Sequence, residues 1–471
     1  MDNSLNTHKR QPTSYEDYPE ETGLETRNTQ GVSSESVGLS DKDIKSEINT
    51  ERLLEEILEA ENLNKACRQV VKNKGSHGID GMKYDELVPY LKEHGSALIE
   101  EILSGNYQPL PVRRVEIPKP SGGIRLLGIP TVKDRMIQQA IKLKLDDKFE
   151  PIFSDNSHGF RLNRSAHSAL EQSRQYIQEG NRVVVDMDLE KYFDTINHDK
   201  LMAAVKKQVK DKRVLKLINK YLKSGIMING IKVKSEDGAP QGGPLSPLLS
   251  NVMLDALDKE LEERGHKFVR YADDCNIYVK TLRAGKRVLE SITQFLGKKL
   301  KLKVNQEKSA VGSPFKRKFL GYSFYTRKGE VRFRVHQKSW KRLKEKIKKV
   351  TNRNISMNFQ ERMKKLNQLM VGWVNYYGLA DMKGRLRNLD QWVRRRIRAC
   401  IWKRWKRVRS RFKYLKKLGL SAWRAWQFAN TRKSCWRVSN SQILHTTLTK
   451  QRLSSRGYKS FLSQYMKVRL S

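Results

Sequence analysis

Apolar positions along this chain change their period twice. From Glu51, residues Leu53, Leu54, Ile57, Leu58, Leu63, Val70 and Val71 recur at helical spacing. Asn49-Thr50 is placed to cap that helix, and the Gly-punctuated basic loop Lys72–Gly81 to end it. Between about 110 and 325, short β-branched runs alternate with helical stretches. Arg113–Pro118, Arg182–Leu189, Phe268–Tyr271 and Asn276–Lys280 read as strands, which predicts an α/β or α+β core. Beyond about 335, Trp340/Leu343/Ile347/Val350, then Phe359/Met363/Leu366/Met370/Trp373/Tyr377, then Leu386/Leu389/Val393/Ile397/Ile401 predict three amphipathic helices in a bundle. Residues 1–48 are rich in Ser, Thr, Asn and Glu with few aliphatics, and are expected to be a disordered acidic leader.

Charge sharpens the picture. The 471 residues hold 94 Lys+Arg against 51 Asp+Glu, a formal charge of +43, and a surplus of that size calls for a polyanion such as nucleic acid. From Gln391 to Ser471 there are 23 Lys/Arg and no Asp or Glu, whereas a solvated helix face normally mixes signs. No run approaches the roughly 20 apolar residues of a membrane helix, so no membrane partner is expected. The N-terminus lacks the basic and apolar regions of a secretory signal. Cys67, Cys275, Cys400 and Cys435 form no C-x-x-C pair, which excludes a zinc-finger pattern and fits a reducing cytoplasm.

Two segments carry candidate chemistry. In Phe268–Val279, two apolar strands flank Asp273-Asp274, the look of a β-hairpin with paired acids at its turn. Adjacent carboxylates repel unless a cation offsets them, and hard oxygen ligands suit Mg²⁺. Arg182–Asp194 is a second apolar strand, which delivers acids at its carboxyl end, and Asp188 lies 85 residues before Asp273. Brought together, these acids would hold two metals roughly 4 Å apart for in-line nucleotidyl transfer. Asp186 and Asp194 read as strand-end and helix-cap polarity.

Tyr271-Ala272-Asp273-Asp274 with the Asp188 strand resembles the palm of a reverse transcriptase. From about Leu53 onward the chain resembles the reverse transcriptase–maturases encoded in bacterial group II introns. The resemblance rests on ordered blocks: Ile117–Pro120 through Arg125, Leu127–Pro130, Asp134-Arg135, His158–Arg161, the Asp188 block, Gly238–Pro247, Phe319–Tyr322 and Gly372–Tyr377. It implies a right-hand polymerase of α+β class with an α-helical thumb/maturase domain and a basic helical C-terminal DNA-binding region. The expected domains are a leader at 1–48, fingers and palm at 49–334 with an extension loop at 72–81, the thumb/maturase domain at 335–405, and the DNA-binding region at 406–471.

The resemblance also implies roles. Asp188, Asp273 and Asp274 would hold two Mg²⁺ ions, with the Leu189 carbonyl nearby. Lys119 and Arg125, on a fingers hairpin whose Ser121-Gly122-Gly123 tip suits a turn, would neutralise the triphosphate. Phe193 would sit under the incoming sugar and exclude a 2′-hydroxyl, Gln241 would lie by the templating pair, and Lys308 would protonate pyrophosphate. Arg161, Tyr271, Gly321 and Tyr322 would meet template or primer. Lys72, Lys74, Arg394, Arg395, Arg396, Arg398, Lys403, Arg404, Lys406 and Arg407 would bind RNA or DNA. The tail tryptophans Trp402, Trp405, Trp423, Trp426 and Trp436 alternate with basic residues, a mixture that suits base stacking, but for most of them a small helical core is the expected role.

The implied partners are group II intron RNA in a ribonucleoprotein, target DNA, deoxynucleoside triphosphates, and an RNA template with a DNA primer; a homodimer stays open. The implied setting is bacterial cytoplasm at the nucleoid. The zinc-bearing H-N-H endonuclease of many family members is not in this sequence, so second-strand cutting is not expected. Two alternatives stand beside this reading: an RNA-binding splicing cofactor with a vestigial polymerase site, and a reverse transcriptase of the retron or diversifying-element type.

Overall fold

The computed structural model describes residues 52–118, 122–228, 231–233 and 237–470. The acidic leader, the Asn49-Thr50 cap, Lys119 and Ser121 lie outside them. The chain divides between Arg332 and Phe333 into two compact units.

In the first unit the opening helix is two, Leu53–Leu58 and Ala60–Asn73. Glu59 turns extended (φ −51°, ψ 138°) and breaks a periodicity that alone reads as continuous. Leu53, Leu54, Ile57, Ala66 and Val70 are buried with Ile137, Ile141 and Leu145 of the helix Val132–Phe149. Thr131 caps that helix, its hydroxyl accepting from the Asp134 amide at 3.1 Å. The first sheet is built from β1 (Val112–Pro118), β2 (Ile124–Ile129), β4 (Ile226–Ile228) and β5 (Ile231–Val233), in the order β2-β1-β4-β5. The β1–β2 hairpin pairs from Arg113↔Ile129 to Pro118↔Ile124. Gly122 and Gly123 both take positive φ (93° and 84°) at its tip, as the Gly-Gly signal predicts.

The second sheet is antiparallel and is built from β3 (Val183–Met187), β6 (Lys267–Tyr271), β7 (Asp274–Val279) and β8 (Ala310–Gly312), in the order β6-β7-β3-β8. Helices Ser246–Glu263 and Leu282–Phe295 contribute to the same apolar core, through Leu248, Leu257, Val288 and Ile292. The strand ends that carry acids therefore project from a rigid base. A ribbon of β9 (Tyr322–Arg327) and β10 (Glu330–Val335) follows.

The second unit is helical. Gln337–Val350, Phe359–Tyr376 and Lys383–Arg404 are the three expected helices. The Gly372–Tyr377 block builds a cluster of tilted aromatic rings, with Trp340–Trp373 at 5.0 Å and Trp373–Tyr377 at 4.6 Å between ring centres. Arg362 closes the 350–355 loop by donating to the carbonyls of Val350, Asn352 and Ile355. Asp390, buried in Lys383–Arg404, clasps the start of the last helix, Phe461–Leu470. Its carboxylate accepts from the amides of Phe461 and Leu462 at 2.9 and 3.0 Å, and from Tyr458 and Ser460 hydroxyls at 2.6 Å each. A carboxylate there satisfies orphan helix amides and complements the helix dipole. No helix among the described residues is long and apolar enough to cross a membrane.

Candidate active site

Strand register brings the predicted acids together. β3 pairs with β7 through Asp186↔Asn276 and Met187↔Cys275, so one further step sets Asp188 opposite Asp274. β6 and β7 close at Tyr271↔Asp274, leaving Ala272-Asp273 as a two-residue turn. Ala272 adopts φ +57°, a position where such turns usually place glycine. A strained residue beside two acids is held by its surroundings. Fully buried Arg270 donates to the Ala272 carbonyl at 3.0 Å, to Asn251 Oδ1 at 3.0 Å and to both oxygens of equally buried Asp258. Against the other side lies Gly159: a Cβ there would come within 2.2 Å of the Ala272 nitrogen. Asn251 also donates to the Gly159 carbonyl at 2.8 Å, so one amide side chain ties the His158–Arg161 loop to the acidic turn.

A loop at 303–309 grips Asp188. Asn305 N–H donates to the Asp188 carbonyl at 2.8 Å, and the Asp188 N–H donates to Ser309 Oγ at 3.0 Å. Asn305 Oδ1 accepts from the amides of Glu307 and Lys308, a local turn that delivers Lys308 Nζ to Asp188 Oδ2 at 2.8 Å. That hydrogen bond, with the charges of Asp188, Asp274 and Asp273, holds the Lys308 ammonium above its ordinary pKa. The Leu189↔Val304 bridge is made by bonds of Asp188 and Glu190, so it does not use the Leu189 carbonyl.

Electrostatically the acids act as a group. Surrounding protein, then Asp273, Asp188 and Asp186, push the Asp274 pKa up to about 7, yet its side chain is exposed and a cation can reach it. Asp186 is pushed up to about 6, first by burial and further by Asp188, with Arg317 and Lys318 opposing. Asp186 thus feels the charge of Asp188, and Arg317 lies 3.9 Å from its carboxylate. Among the described residues no three acidic, His or Cys side chains form a ready metal cage. Mg²⁺, which keeps waters and takes one or two carboxylates plus substrate phosphates, does not require one.

Residues 117–324 match the reverse transcriptase (RNA-dependent DNA polymerase) model, and residues 340–419 the group II intron maturase-specific domain. Protein YkfC of Escherichia coli is 34% identical over 304 residues, 56% of this chain and 80% of YkfC. The chain belongs to the group II intron reverse transcriptase–maturase family. Group II intron-encoded protein LtrA of Lactococcus lactis is 39% identical over 206 residues, 44% of this chain but only 34% of LtrA. A solved chain of a "Partial Cas6-RT-Cas1--Cas2 complex" is 24% identical at a TM-score of 0.34, covering 52% of this chain and 42% of that one.

In this reverse transcriptase–maturase the other predicted residues divide. Half-buried Phe193 lies in the four-residue helix Tyr192–Thr195 that follows Asp188, and its carbonyl accepts from the Ala239 amide at 2.7 Å. The next loop residues continue that contact: the Gln241 carbonyl accepts from Gly128 N–H at 2.7 Å, and a Cβ on Gly242 (φ +131°) would fall 2.6 Å from the Gly128 carbonyl. Phe193, Gln241 and β2, whose exposed Arg125 lies near the hairpin tip, are thus linked through backbone contacts. Lys72 and Lys74 are exposed, but the loop begins later than expected: Lys72 is still in the last turn of the helix Ala60–Asn73 and Lys74 is its C-cap. Arg113 and Arg135 tie down the loop that follows through Ser76 and His77. Tyr271 is half-buried at the end of β6.

Three expectations need correction. Arg161 faces inward: its side chain is 4% exposed, and it bonds Glu150 and the carbonyls of Ser154, Ser157 and Glu150. Tyr322 is fully buried; with Leu320 (φ 47°) and Gly321 (φ 83°) it closes a tight turn back to Phe319. Of the basic set, Lys403, Arg404, Lys406 and Arg407 are exposed, but Arg398 is buried and donates to the Leu448 carbonyl at 3.0 Å. Arg395 lies 4.0 Å over Trp436, and Arg396 donates to Thr351 Oγ1 at 2.5 Å; Arg394 is half-buried. Sequence reading missed Arg270, Asp258 and Asn251. A basic residue in the middle of the apolar run Phe268–Tyr271 was the available signal for the first, since such a charge requires a buried partner.

Proposed function

We propose that this chain is an RNA-directed DNA polymerase of a mobile group II intron, which copies intron RNA into DNA during retrohoming and also binds that RNA to assist splicing. The convergence of Asp188, Asp273 and Asp274 beside Lys308 carries the reading. The donor set suits two Mg²⁺ ions in its chemistry: hard, mutually repelling carboxylate oxygens, with Asp274 exposed, Asp188 and Asp273 partly so, and the Leu189 carbonyl left free by the neighbouring bridge. When bound, such ions supply activation of a 3′-hydroxyl and neutralisation of the triphosphate.

The chain's own residues would do the rest. Lys119 and Arg125 orient the triphosphate, Phe193 bars a 2′-hydroxyl, Gln241 supports the templating pair, and Lys308 gives a proton to pyrophosphate. Exposed Lys72, Lys74, Lys403, Arg404, Lys406 and Arg407 screen RNA and DNA phosphates. Primer extension on an RNA template, with Asp273→Ala beside wild type, tests the site: the variant should fall to background while keeping its affinity for intron RNA. Equal extension by both proteins refutes the assignment.

A further inference from the structure

The helix Ala422–Ala429 is built inside out. Its buried positions are Ala425 and Ala429, while Trp423 is 73% and Trp426 51% exposed. Three residues apart, the two indoles share a helix face. Trp402 and Trp405, by contrast, are 1% and 5% exposed, so this part of the chain does build a tryptophan core and leaves these two out of it. Burying an indole of that size would stabilise the fold, so a pair held in water marks a contact surface. Trp426 is steadied edge-on by Phe412 at 5.2 Å, on the partner helix Val408–Lys417.

The surroundings select the occupant. Arg409, Lys413, Lys416, Lys417 and Arg424 are exposed on the same two helices, and no acid occurs between Gln391 and Leu470. An acidic protein segment would meet the charges but offers no flat ring for the indoles. A duplex offers phosphates, but its bases are already stacked on one another. Unpaired nucleotides offer both a backbone charge and a free ring face.

We infer that Trp423 and Trp426 form a stacking platform for unpaired bases of a nucleic-acid strand whose phosphates are held by the flanking basic residues. This rests on reading the basic segment as a nucleic-acid surface, and it adds strand state as what that surface recognises. Neither indole belongs to the polymerase site, and both are exposed enough to be replaced without disturbing a core.

The test uses the full-length protein, wild type, Trp423→Ala, Trp426→Ala and Trp423→Phe, against fluorescein-labelled single-stranded DNA, single-stranded RNA and duplex DNA at several salt concentrations. Each alanine variant should lose on the order of ten-fold in affinity for single strands. Duplex binding should stay within about two-fold, and the slope of log affinity against log salt should be unchanged, because no phosphate contact is removed. Trp423→Phe should recover most of the loss. A preference of the loss for DNA or for RNA names the natural strand. Equal losses on duplex and single strands, or none, overturn the platform. Unaltered binding with a shift in gel-filtration volume overturns it in favour of a protein contact. Wild-type binding that ignores salt would instead sink the underlying reading of the basic segment.

Discussion

The Lys308 ammonium lies 2.8 Å from Oδ2 of Asp188, and the loop that delivers it also bonds the Asp188 main chain on both sides. One short segment therefore sets the charge and the position of the acid together. Lys308→Met should lower the rate of nucleotide addition about 10²-fold with a smaller change in nucleotide KM. Lys308→Arg should restore the ion pair without the proton transfer, since a guanidinium holds its proton. Single-turnover extension across pH checks both; an unchanged rate in the methionine variant removes Lys308 from the chemistry.

Burial of the Asp274 carboxyl, with Asp273, Asp188 and Asp186 around it, predicts a pH signature. The Asp274 pKa in the folded protein, about 7, lies above the ordinary 3.8, so the folded state holds that proton more tightly. Its stabilisation is complete below about pH 4 and is lost as pH rises through 7. In chelator, Asp274→Asn should raise Tm at about pH 8 by a few degrees and flatten its dependence between pH 4 and 7. Added Mg²⁺ should raise wild-type Tm more than the variant's. Superimposable calorimetric curves would show that neither burial nor the neighbouring acids raise the Asp274 pKa.

Two glycines predict opposite signs. Gly159→Ala drives a methyl group into the Ala272 backbone and should cost about 1–3 kcal/mol, with loss of primer extension as the acidic turn moves. Gly95 lies inside the helix Leu87–Leu103, where a methyl group would meet nothing within 4 Å, and Gly95→Ala should gain about 0.5–1 kcal/mol. Urea denaturation separates the two.

Arg270 and Asp258 are both fully buried, so Asp258→Ala leaves a guanidinium without its counter-charge and should cost about 3–5 kcal/mol. Replacing the pair with Arg270→Met and Asp258→Leu should return much of the stability. Polymerisation should not return, because the Ala272 carbonyl still lacks its donor. Recovery of activity in the double variant would mean that Arg270 serves stability alone.

Phe193→Ala opens space on the short helix Tyr192–Thr195, whose backbone is pinned by the Ala239 amide, so the change should stay local. Ribonucleotide use relative to deoxynucleotide use should rise at least about ten-fold in kcat/KM. An unaltered ratio assigns Phe193 to packing only.

Much of this was legible because local rules suffice for it. β-branched runs gave four strands to within two residues at each end, and acids at the strand ends Asp188 and Asp273-Asp274 were recognisable before their register was known. What stayed hidden depends on distant partners. Nothing near Arg161 in sequence says that its guanidinium turns inward to Glu150, nor does local spacing pair Arg270 with Asp258. Trp402 and Trp423 sit in similar basic, tryptophan-containing contexts, yet one is core and the other surface, since only packing against later helices decides which face is covered. The break at Glu59 and the short β4–β5 hairpin likewise leave no periodic trace.

Asp390 has a consequence for anyone who would shorten this protein. Its carboxylate, sunk in one helix, is satisfied by groups between Tyr458 and Leu462 that the ribosome adds some seventy residues afterwards. Cutting the chain after Trp405 would not peel off a detachable appendage: it would strand an anion in an apolar seam and unroof the helix that holds it. Fragments meant to study the maturase helices in isolation will behave only if they carry the last turn-and-helix along, or if Asp390 is replaced by a residue content to be dry.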